Sequence, residues 1–197
     1  MKLLFATQNQ HKLVEVREIL KGSGVEVIDL SAYPELGELP ETHHTFQENA
    51  LEKATALHQH TGLPVIADDS GLEVDALNGA PGVHSKRYSA AQTAEGNNQK
   101  LLVALTDVPD RKARFRCSLA LVTQDFHGVV DGTCEGAIAN ALCGVAGFGY
   151  DPLFLPDAIP GKSMAEISMA EKNKISHRGR AFSLLPELLS RAGLLLR

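Results

Sequence analysis

Two adjacent carboxylates, Asp68 and Asp69, are the side chains of this sequence best suited to chemistry. They follow the short apolar run at residues 65–67 and precede Ser70 and Gly71. Neighbouring acids repel each other, and burying them is costly unless a cation, a positive side chain or a shared proton compensates. We predict that a strand breaks here into a Ser-Gly turn and that the pair serves metal-assisted phosphate chemistry. An ordinary acidic turn with Asp68 as a cap is the alternative.

Glu41 is a candidate third carboxylate. It lies in an irregular stretch before a predicted helix, so folding could bring it to Asp68 and Asp69 from a separate segment. Oxygen ligands of this kind suit Mg²⁺, which usually takes one or two protein carboxylates together with water and substrate phosphate. One acid would then remain to orient or deprotonate an attacking water. A solvated loop acid is the alternative for Glu41.

Thr7, Asn9 and Lys12 connect a predicted strand to a predicted helix. Helix N-terminal amides, two short polar side chains and one cation within about a turn suit a polyphosphate. The segment lacks the glycines of a Walker A loop, and simple helix capping by Thr7 or Asn9 remains the alternative.

A planar ligand is suggested by the GFGYDP segment at residues 147–152. Glycines on both sides of Phe148 allow close approach of the backbone, and the ring offers a stacking surface for a nucleobase. In the alternative, Phe148 and Tyr150 simply join the core. Further along the chain, Lys172 and Arg178 supply donors, and Arg178 could donate to a keto oxygen of a base. A Ser176 helix cap surrounded by solvated charges is the alternative there.

These residues must be positioned by helices and strands, and the sequence pattern predicts an α/β fold with a mixed, twisted sheet. Apolar spacing predicts strands over residues 2–6, 25–28, 65–67, 72–74 and 114–123, with a hairpin turn at 124–128 leading into another long strand. A polar loop spans 30–41. Helices are predicted over 12–20, from a Thr45 and Glu48 capping box to the stop at 62–64, over 97–105, and from 176 onward with a break at Pro186.

Composition limits the class of protein. The chain has 197 residues, 44% of them hydrophobic, which fits one globular domain over residues 1–197. No run approaches the roughly 20 apolar residues of a membrane span, and no export signal is visible, so we predict a cytoplasmic protein. A net charge of -5 argues against direct nucleic-acid binding. Three cysteines without a C-x-x-C pair favour reduced thiols over a disulfide framework or a zinc site.

Six ordered sequence blocks resemble the RdgB-type inosine triphosphate pyrophosphatase family, which acts on non-standard purine nucleotides. The blocks are TxNxxK at residues 7–12, TFxENAxxKA at 45–54, ADDSGL at 67–72, GAPG at 79–82, GFGYDP at 147–152 and SHRG at 176–179. They run nearly from end to end of the chain. Departures from the usual family residues occur at Gln8, Asn78, His84 and Lys86.

This resemblance implies a role for each matching residue. Asp69 would be the general base, supported by Asp68, and Ser70 would touch substrate. Mg²⁺ would be bound by Glu41 and Asp69. The triphosphate would be held by Thr7, Asn9, Lys12 and Lys53. The base and sugar would be surrounded by Phe148, Gly149, Tyr150, Asp151, Lys172, His177 and Arg178.

The same resemblance implies a fold, an assembly and a reaction. The expected fold has two α/β lobes around a long mixed sheet, with the active site in the cleft, and the expected assembly is a homodimer. The expected reaction is Mg²⁺-dependent hydrolysis of ITP, dITP or XTP to the monophosphate and pyrophosphate, which removes deaminated purines from the nucleotide pool.

Two other functions compete with this one. A phosphohydrolase with an aspartyl nucleophile would also place an acid after the strand at residues 65–67, but it expects a D-x-D spacing and the acid two positions beyond Asp68 is missing. A nucleotide-binding sensor would share the pocket without turning over its ligand. The products formed from nucleoside triphosphates separate the three possibilities.

Overall fold

The computed structural model describes residues 1–33, 39 and 41–195, apart from the side chain of His11. Half of the predicted loop at 30–41, namely residues 34–38 and 40, lies outside the described residues, as do residues 196–197. The described residues form six strands: β1 Lys2–Phe5, β2 Glu26–Asp29, β3 Val65–Val74, β4 Lys112–Val122, β5 His127–Ile138 and β6 Phe154–Pro156. The helices are α1 Gln10–Ile19, α2 Phe46–Thr61, α3 Ala94–Ala104, α4 Met169–Ile175, α5 His177–Ser183 and α6 Leu185–Arg191.

The strands form one mixed sheet in the order β2-β1-β3-β4-β5-β6. β1 is parallel to both β2 and β3, with Leu4 opposite Ile28 on one side and Val65 on the other. β5 and β6 are antiparallel, with Ala137 opposite Leu155. The prediction of an α/β fold with a mixed sheet is therefore confirmed.

β3 corrects the prediction made for the acidic pair. The sequence predicts that a strand ends at residue 67 and breaks into a turn, but one ten-residue strand continues through Asp68, Asp69, Ser70 and Gly71 to Val74. Asp68 is 4% exposed and Asp69 is 8% exposed. Both carboxylates lie inside the strand because lysines distant in the sequence neutralise them, as described below, so local turn propensity does not decide the structure.

Local capping signals locate α2 correctly. The Thr45 hydroxyl accepts a hydrogen bond from the N–H of Glu48, and Gly62 ends the helix with a φ of 69°. Ala50, Ala54 and Leu57 recur at helical spacing in the sequence, and all three are buried on one face of α2. α3 begins at Ala94, three residues before the predicted start, because Thr93 accepts a hydrogen bond from the N–H of Gly96 and caps it.

The C-terminal helical region is divided as Pro186 predicts. α5 ends at Ser183, and α6 starts at Leu185 with the proline in its first turn, where the missing N–H costs no helical hydrogen bond. Phe182, Leu185 and Leu189 are buried. α4 and β6 are two short elements that the sequence does not predict. No helix in the described part of the chain is long and apolar enough to cross a membrane.

The chain divides into two compact units. Excluding the undescribed residues, the first unit comprises Met1–Asp69, Ser118–Asp131 and Ala181–Arg197, and the second comprises Ser70–Cys117 and Gly132–Arg180. The core of the first unit includes Leu4, Leu57, Val65 and Val122. The core of the second unit contains Leu72, Leu101, Phe115, Tyr150 and Phe154.

The cysteines provide a test of this packing. Cys117 and Cys134 are buried and Cys143 is half-buried, and none of the three forms a disulfide within the described residues. Burial raises the pKa of the Cys134 thiol to about 11, which disfavours the reactive thiolate further. We expect iodoacetamide to alkylate Cys143 first at neutral pH and to modify the other two only after unfolding. Peptide mass spectrometry measures the order, and early labelling of Cys134 would contradict the packing.

Candidate active site

The first unit gathers the predicted acids and lysines into one group, here called the acid–lysine cluster: Lys12, Glu41, Asn49, Lys53, Asp68 and Asp69. Lys12 Nζ donates to both carboxylate oxygens of Asp68, at 2.9 and 2.7 Å. The side chains of Lys12 and Asp68 are 18% and 1% exposed, so this is a largely buried ion pair. Asp68 is thus already neutralised by a lysine, which fits the supporting role implied for it.

Lys53 lies beside the two predicted metal ligands. Its Nζ donates to Glu41 Oε1 and to the backbone carbonyl of Asp68, both at 2.8 Å. The same nitrogen is 3.8 Å from Asp69 Oδ1. The oxygens of Glu41 and Asp69 therefore both lie beside the Lys53 ammonium, which offsets their negative charge.

Asn49 is a site residue that the sequence analysis did not single out. It is 0% exposed, and its Nδ2 donates to Asp69 Oδ2 at 3.0 Å while its Oδ1 accepts from the N–H of His43. The amide therefore fixes the orientation of the Asp69 carboxylate. A polar residue on the buried face of α2, one turn before Lys53, was the signal in the sequence.

The donor set of this cluster fits Mg²⁺. Among the described residues, no group of three or more His, Cys, Asp or Glu side chains is close enough to hold a metal ion. The sequence analysis names only two protein ligands, Glu41 and Asp69, and that pair stays a prediction. Two carboxylates, Glu41 and Asp69, remain around the Lys53 ammonium, and Mg²⁺ commonly takes only one or two protein carboxylates.

Asn9 caps the start of α1, and Thr7 holds the turn just before it. The N–H of Asn9 donates to Thr7 Oγ1 at 3.1 Å, and the N–H of Lys12 donates to Asn9 Oδ1 at 3.5 Å. The capping alternative thus describes these contacts, while the predicted phosphate contacts of both residues stay a prediction. The caps also fix the turn from which Lys12 reaches Asp68.

The second unit collects the residues predicted to contact a base into an aromatic–cation cluster: Ser70, Phe148, Asp151, Lys172, His177 and Arg178. Phe148 is 56% exposed. Lys172 Nζ lies 4.5 Å from the ring centroid and the Arg178 guanidinium lies 5.6 Å from it. Arg178 also donates to Ser70 Oγ at 3.4 Å. An exposed ring beside two cations can stack on a planar base while the cations donate to its edge.

A buried ion pair holds this cluster together. Lys172 donates to Asp151 Oδ2, which also accepts the N–H of Phe148 at 2.7 Å. A Cβ at Gly147 would lie 2.3 Å from that same oxygen, so only glycine allows the loop to approach the carboxylate. Asp151 therefore positions both the backbone of Phe148 and the Lys172 ammonium.

His177 and Tyr150 contact the core of the second unit. The His177 imidazole stacks on Phe115 with ring centroids 4.8 Å apart and an interplanar angle of 15°. Tyr150 is 5% exposed and donates through its hydroxyl to the backbone carbonyl of Ser85. Burial raises the pKa of Tyr150, so its phenol stays neutral. The Tyr150 ring therefore joins the core, as the alternative has it, while the predicted contact of Tyr150 with a base stays a prediction. Phe115 is a further residue that the sequence analysis did not single out.

The fold is therefore α/β, with paired carboxylates and lysines in the first unit and an exposed aromatic ring beside two cations in the second. The "Ham1 family" model matches residues 3–188. A dITP/XTP pyrophosphatase of Porphyromonas gingivalis is 48% identical over 190 residues, covering 95% of this chain and 97% of that protein. One of Desulforamulus reducens is 45% identical over 196 residues, covering 97% and 96%.

Solved structures agree with these sequence comparisons. The Staphylococcus aureus Ham1 protein superposes with a TM-score of 0.91 at 39% identity, covering 98% of this chain and all of that one. A nucleoside-triphosphatase, also described as a dITP/XTP pyrophosphatase, from Mycobacterium abscessus superposes with a TM-score of 0.81 at 45% identity, covering 95% of this chain. The chain belongs to the Ham1 family.

Proposed function

We propose that this chain hydrolyses ITP, dITP and XTP to the nucleoside monophosphate and pyrophosphate, with Mg²⁺ as cofactor. The observation that carries the proposal is the buried Asp68 and Asp69 pair inside β3, held by Lys12, Lys53 and Asn49. Membership of the Ham1 family, whose relatives include proteins named dITP/XTP pyrophosphatase, supports the choice of substrate.

In the proposed reaction, a water attacks the α-phosphorus, and the bond from that phosphorus to the oxygen bridging the β-phosphate breaks. Asp69 accepts the proton of the water, and Asn49 keeps its carboxylate oriented. Lys12 and Lys53 stabilise the charge that develops on the leaving pyrophosphate. Mg²⁺ held by Glu41 and Asp69 would supply further charge neutralisation and orient the phosphates. Catalysis then rests on positioning and electrostatics, without a covalent intermediate.

The aromatic–cation cluster explains how such an enzyme would choose its base. Hypoxanthine and xanthine carry a keto oxygen at C6, which accepts hydrogen bonds from donors such as Arg178. Adenine carries an amino group there, and a donor facing a donor leaves buried polar groups unpaired at about 1–3 kcal/mol each. One such mismatch gives only about 10- to 150-fold discrimination. GTP shares the keto group at C6, so its rejection needs a second contact that disfavours the amino group at C2.

The test is to incubate the protein with Mg²⁺ and each of ITP, XTP, GTP and ATP, and to separate the products by ion-exchange chromatography. Monophosphate and pyrophosphate from ITP and XTP, with ATP spared, is the expected result. Diphosphate and orthophosphate would favour the aspartyl-nucleophile alternative, and binding without turnover would favour a sensor. Either result would overturn the proposal. Omitting Mg²⁺ should abolish turnover.

Phe115→Leu tests the role of His177 in base recognition. The stack on Phe115 fixes the plane of the imidazole, and aromatic pairs contribute about 0.5–1.5 kcal/mol beyond area burial. We expect the variant to lower kcat/KM for ITP by up to about tenfold while the residual rate on ATP stays unchanged. Phe154→Leu is the matched control, because Phe154 is the other aromatic residue that packs on Phe115, with ring centroids 4.6 Å apart. Equal loss of ITP preference in both variants would contradict a specific role for the stack.

The assembly and biological role are proposed on the same basis. We propose a cytoplasmic homodimer that clears deaminated purine nucleotides before they enter DNA or RNA. Light scattering coupled to size-exclusion chromatography measures the assembly directly. Deletion of the gene should raise the cellular dITP and XTP content.

A further inference from the structure

α3 carries two consecutive buried asparagines that bind different loops of the second unit. Asn97 and Asn98 are 5% and 6% exposed. Asn97 accepts from the N–H of Ser89 at 2.7 Å and donates to the carbonyls of Ser85 and Lys86 at 3.2 and 3.1 Å. Its whole amide is therefore used to hold the segment that surrounds the 3₁₀ helix Gly82–Arg87.

Asn98 makes a different kind of contact. Its Nδ2 donates to the carbonyl oxygen of Gly149 at 3.0 Å. Its Oδ1 is buried, and no hydrogen-bond donor within the described residues reaches it. The stability gained from one neutral hydrogen bond is no larger than the stability lost by burying an acceptor without a partner. Fold stability alone therefore does not explain an asparagine at this position. The hydrogen bond from Asn98 to the Gly149 carbonyl points instead to a role in the loop that contains Gly149.

That hydrogen bond fixes the loop that carries Phe148. Gly149 has a φ of 60°, a left-handed conformation that glycine adopts without steric cost. Asp151 holds the loop through the N–H of Phe148, and Asn98 holds it through the carbonyl one residue later. Because the peptide between Gly149 and Tyr150 is trans, fixing this carbonyl also directs the N–H of Tyr150 to the opposite side.

We propose that Asn98 is a positioning residue for base recognition, which fixes the Gly149 peptide and thereby the stacking ring of Phe148. This inference rests on the proposed function. Without the Asn98 amide, the Gly149 carbonyl loses this hydrogen bond, and the Phe148 ring samples orientations in which a purine no longer stacks between it and the donors. Binding of the correct base weakens, whereas the phosphate chemistry in the first unit is untouched.

Two variants test the proposal. Asn98→Ala removes the amide, and Asn98→Leu replaces it with a larger apolar side chain of the same branching. The leucine also removes the buried acceptor without a partner, so the melting temperature should stay close to the wild-type value. Asn97→Ala is the control, because it deletes three hydrogen bonds of the same helix and none to Gly149. The measurements are kcat and KM for ITP and ATP, and hydrogen–deuterium exchange of the peptide covering residues 147–151.

In both Asn98 variants we expect KM for ITP to rise about 10- to 100-fold with little change in kcat, and the preference for ITP over ATP to fall in proportion. Exchange in the loop should quicken by about tenfold, but not in Asn97→Ala. An active wild-type protein whose Asn98 variants keep the KM for ITP would overturn this inference alone. A wild-type protein that releases no pyrophosphate from ITP would overturn the proposed function, and the recognition role with it.

Discussion

Asp69→Asn is expected to lower kcat for ITP by about 10²- to 10⁴-fold, the usual contribution of a general base, while nucleotide binding is retained. The substitution keeps the shape of the side chain, and its amide oxygen can still accept from Asn49, which now contacts Asp69 Oδ2 at 3.0 Å. What it removes is the group that accepts the proton of the attacking water, together with one predicted metal ligand. Steady-state kinetics and calorimetric titration with a slowly hydrolysed ITP analogue separate turnover from binding.

Asp75→Asn is the matched control for this experiment. Asp75 follows directly after β3, where it pairs with the Arg114 guanidinium on the surface of the second unit. That pairing holds the pKa of the Asp75 carboxyl below its usual range. The variant makes the same chemical change on the same segment, and kcat should stay at the wild-type value. Full activity of Asp69→Asn would remove Asp69 from the base role.

Lys172→Met is expected to lower the free energy of unfolding by about 3–5 kcal/mol, because it leaves the Asp151 carboxylate buried without its counter-charge. The two side chains are 9% and 5% exposed, so little solvent reaches either group. ITP hydrolysis should be lost as well, since the loop of Phe148 depends on the same carboxylate. Chemical denaturation measures the stability change.

The double variant Asp151→Asn with Lys172→Met separates stability from function. A neutral asparagine removes the buried charge and can still accept the N–H of Phe148. We expect most of the lost stability to return while the ITP preference does not, because the ammonium beside the Phe148 ring is gone. If the free energy of unfolding of the single variant Lys172→Met lies within about 1 kcal/mol of the wild-type value, the ion pair does not anchor this loop.

Elements with local signals were predictable from the sequence. α2 begins at its Thr45 cap and ends at Gly62, and its apolar stripe is buried as the spacing indicates. The division of the C-terminal helix at Pro186 likewise follows from the missing N–H and fixed φ of proline. In each case the deciding interaction lies within a few residues of the signal.

β3 shows why other features escape such reasoning. Asp-Asp-Ser-Gly has the composition of a turn, yet the strand continues through it. The contacts that make this possible come from Lys12, which is 56 residues from Asp68 in the sequence, and from Lys53 in α2. Neutralisation by residues so far away leaves no trace in the local pattern, and the tertiary contact overrides the turn propensity.

The predicted base-side residues illustrate a second limit. Residue types and spacing identified Phe148, Lys172 and Arg178, which the structure brings together. Their supports were not identified, because Phe115 looked like one of several alternating core residues of β4 and Asn98 like an ordinary helix residue. Only the fold reveals that one ring stacks on His177 and that one amide reaches Gly149.

Hydrolysis of ITP in ¹⁸O-labelled water tests the central claim most directly, because it identifies the phosphorus that water attacks. Attack at the α-phosphorus, with Asp69 as base, predicts one ¹⁸O atom in the inosine monophosphate and none in the pyrophosphate, as measured by mass spectrometry. Label in pyrophosphate or orthophosphate, or no consumption of ITP in the presence of Mg²⁺, would contradict the account.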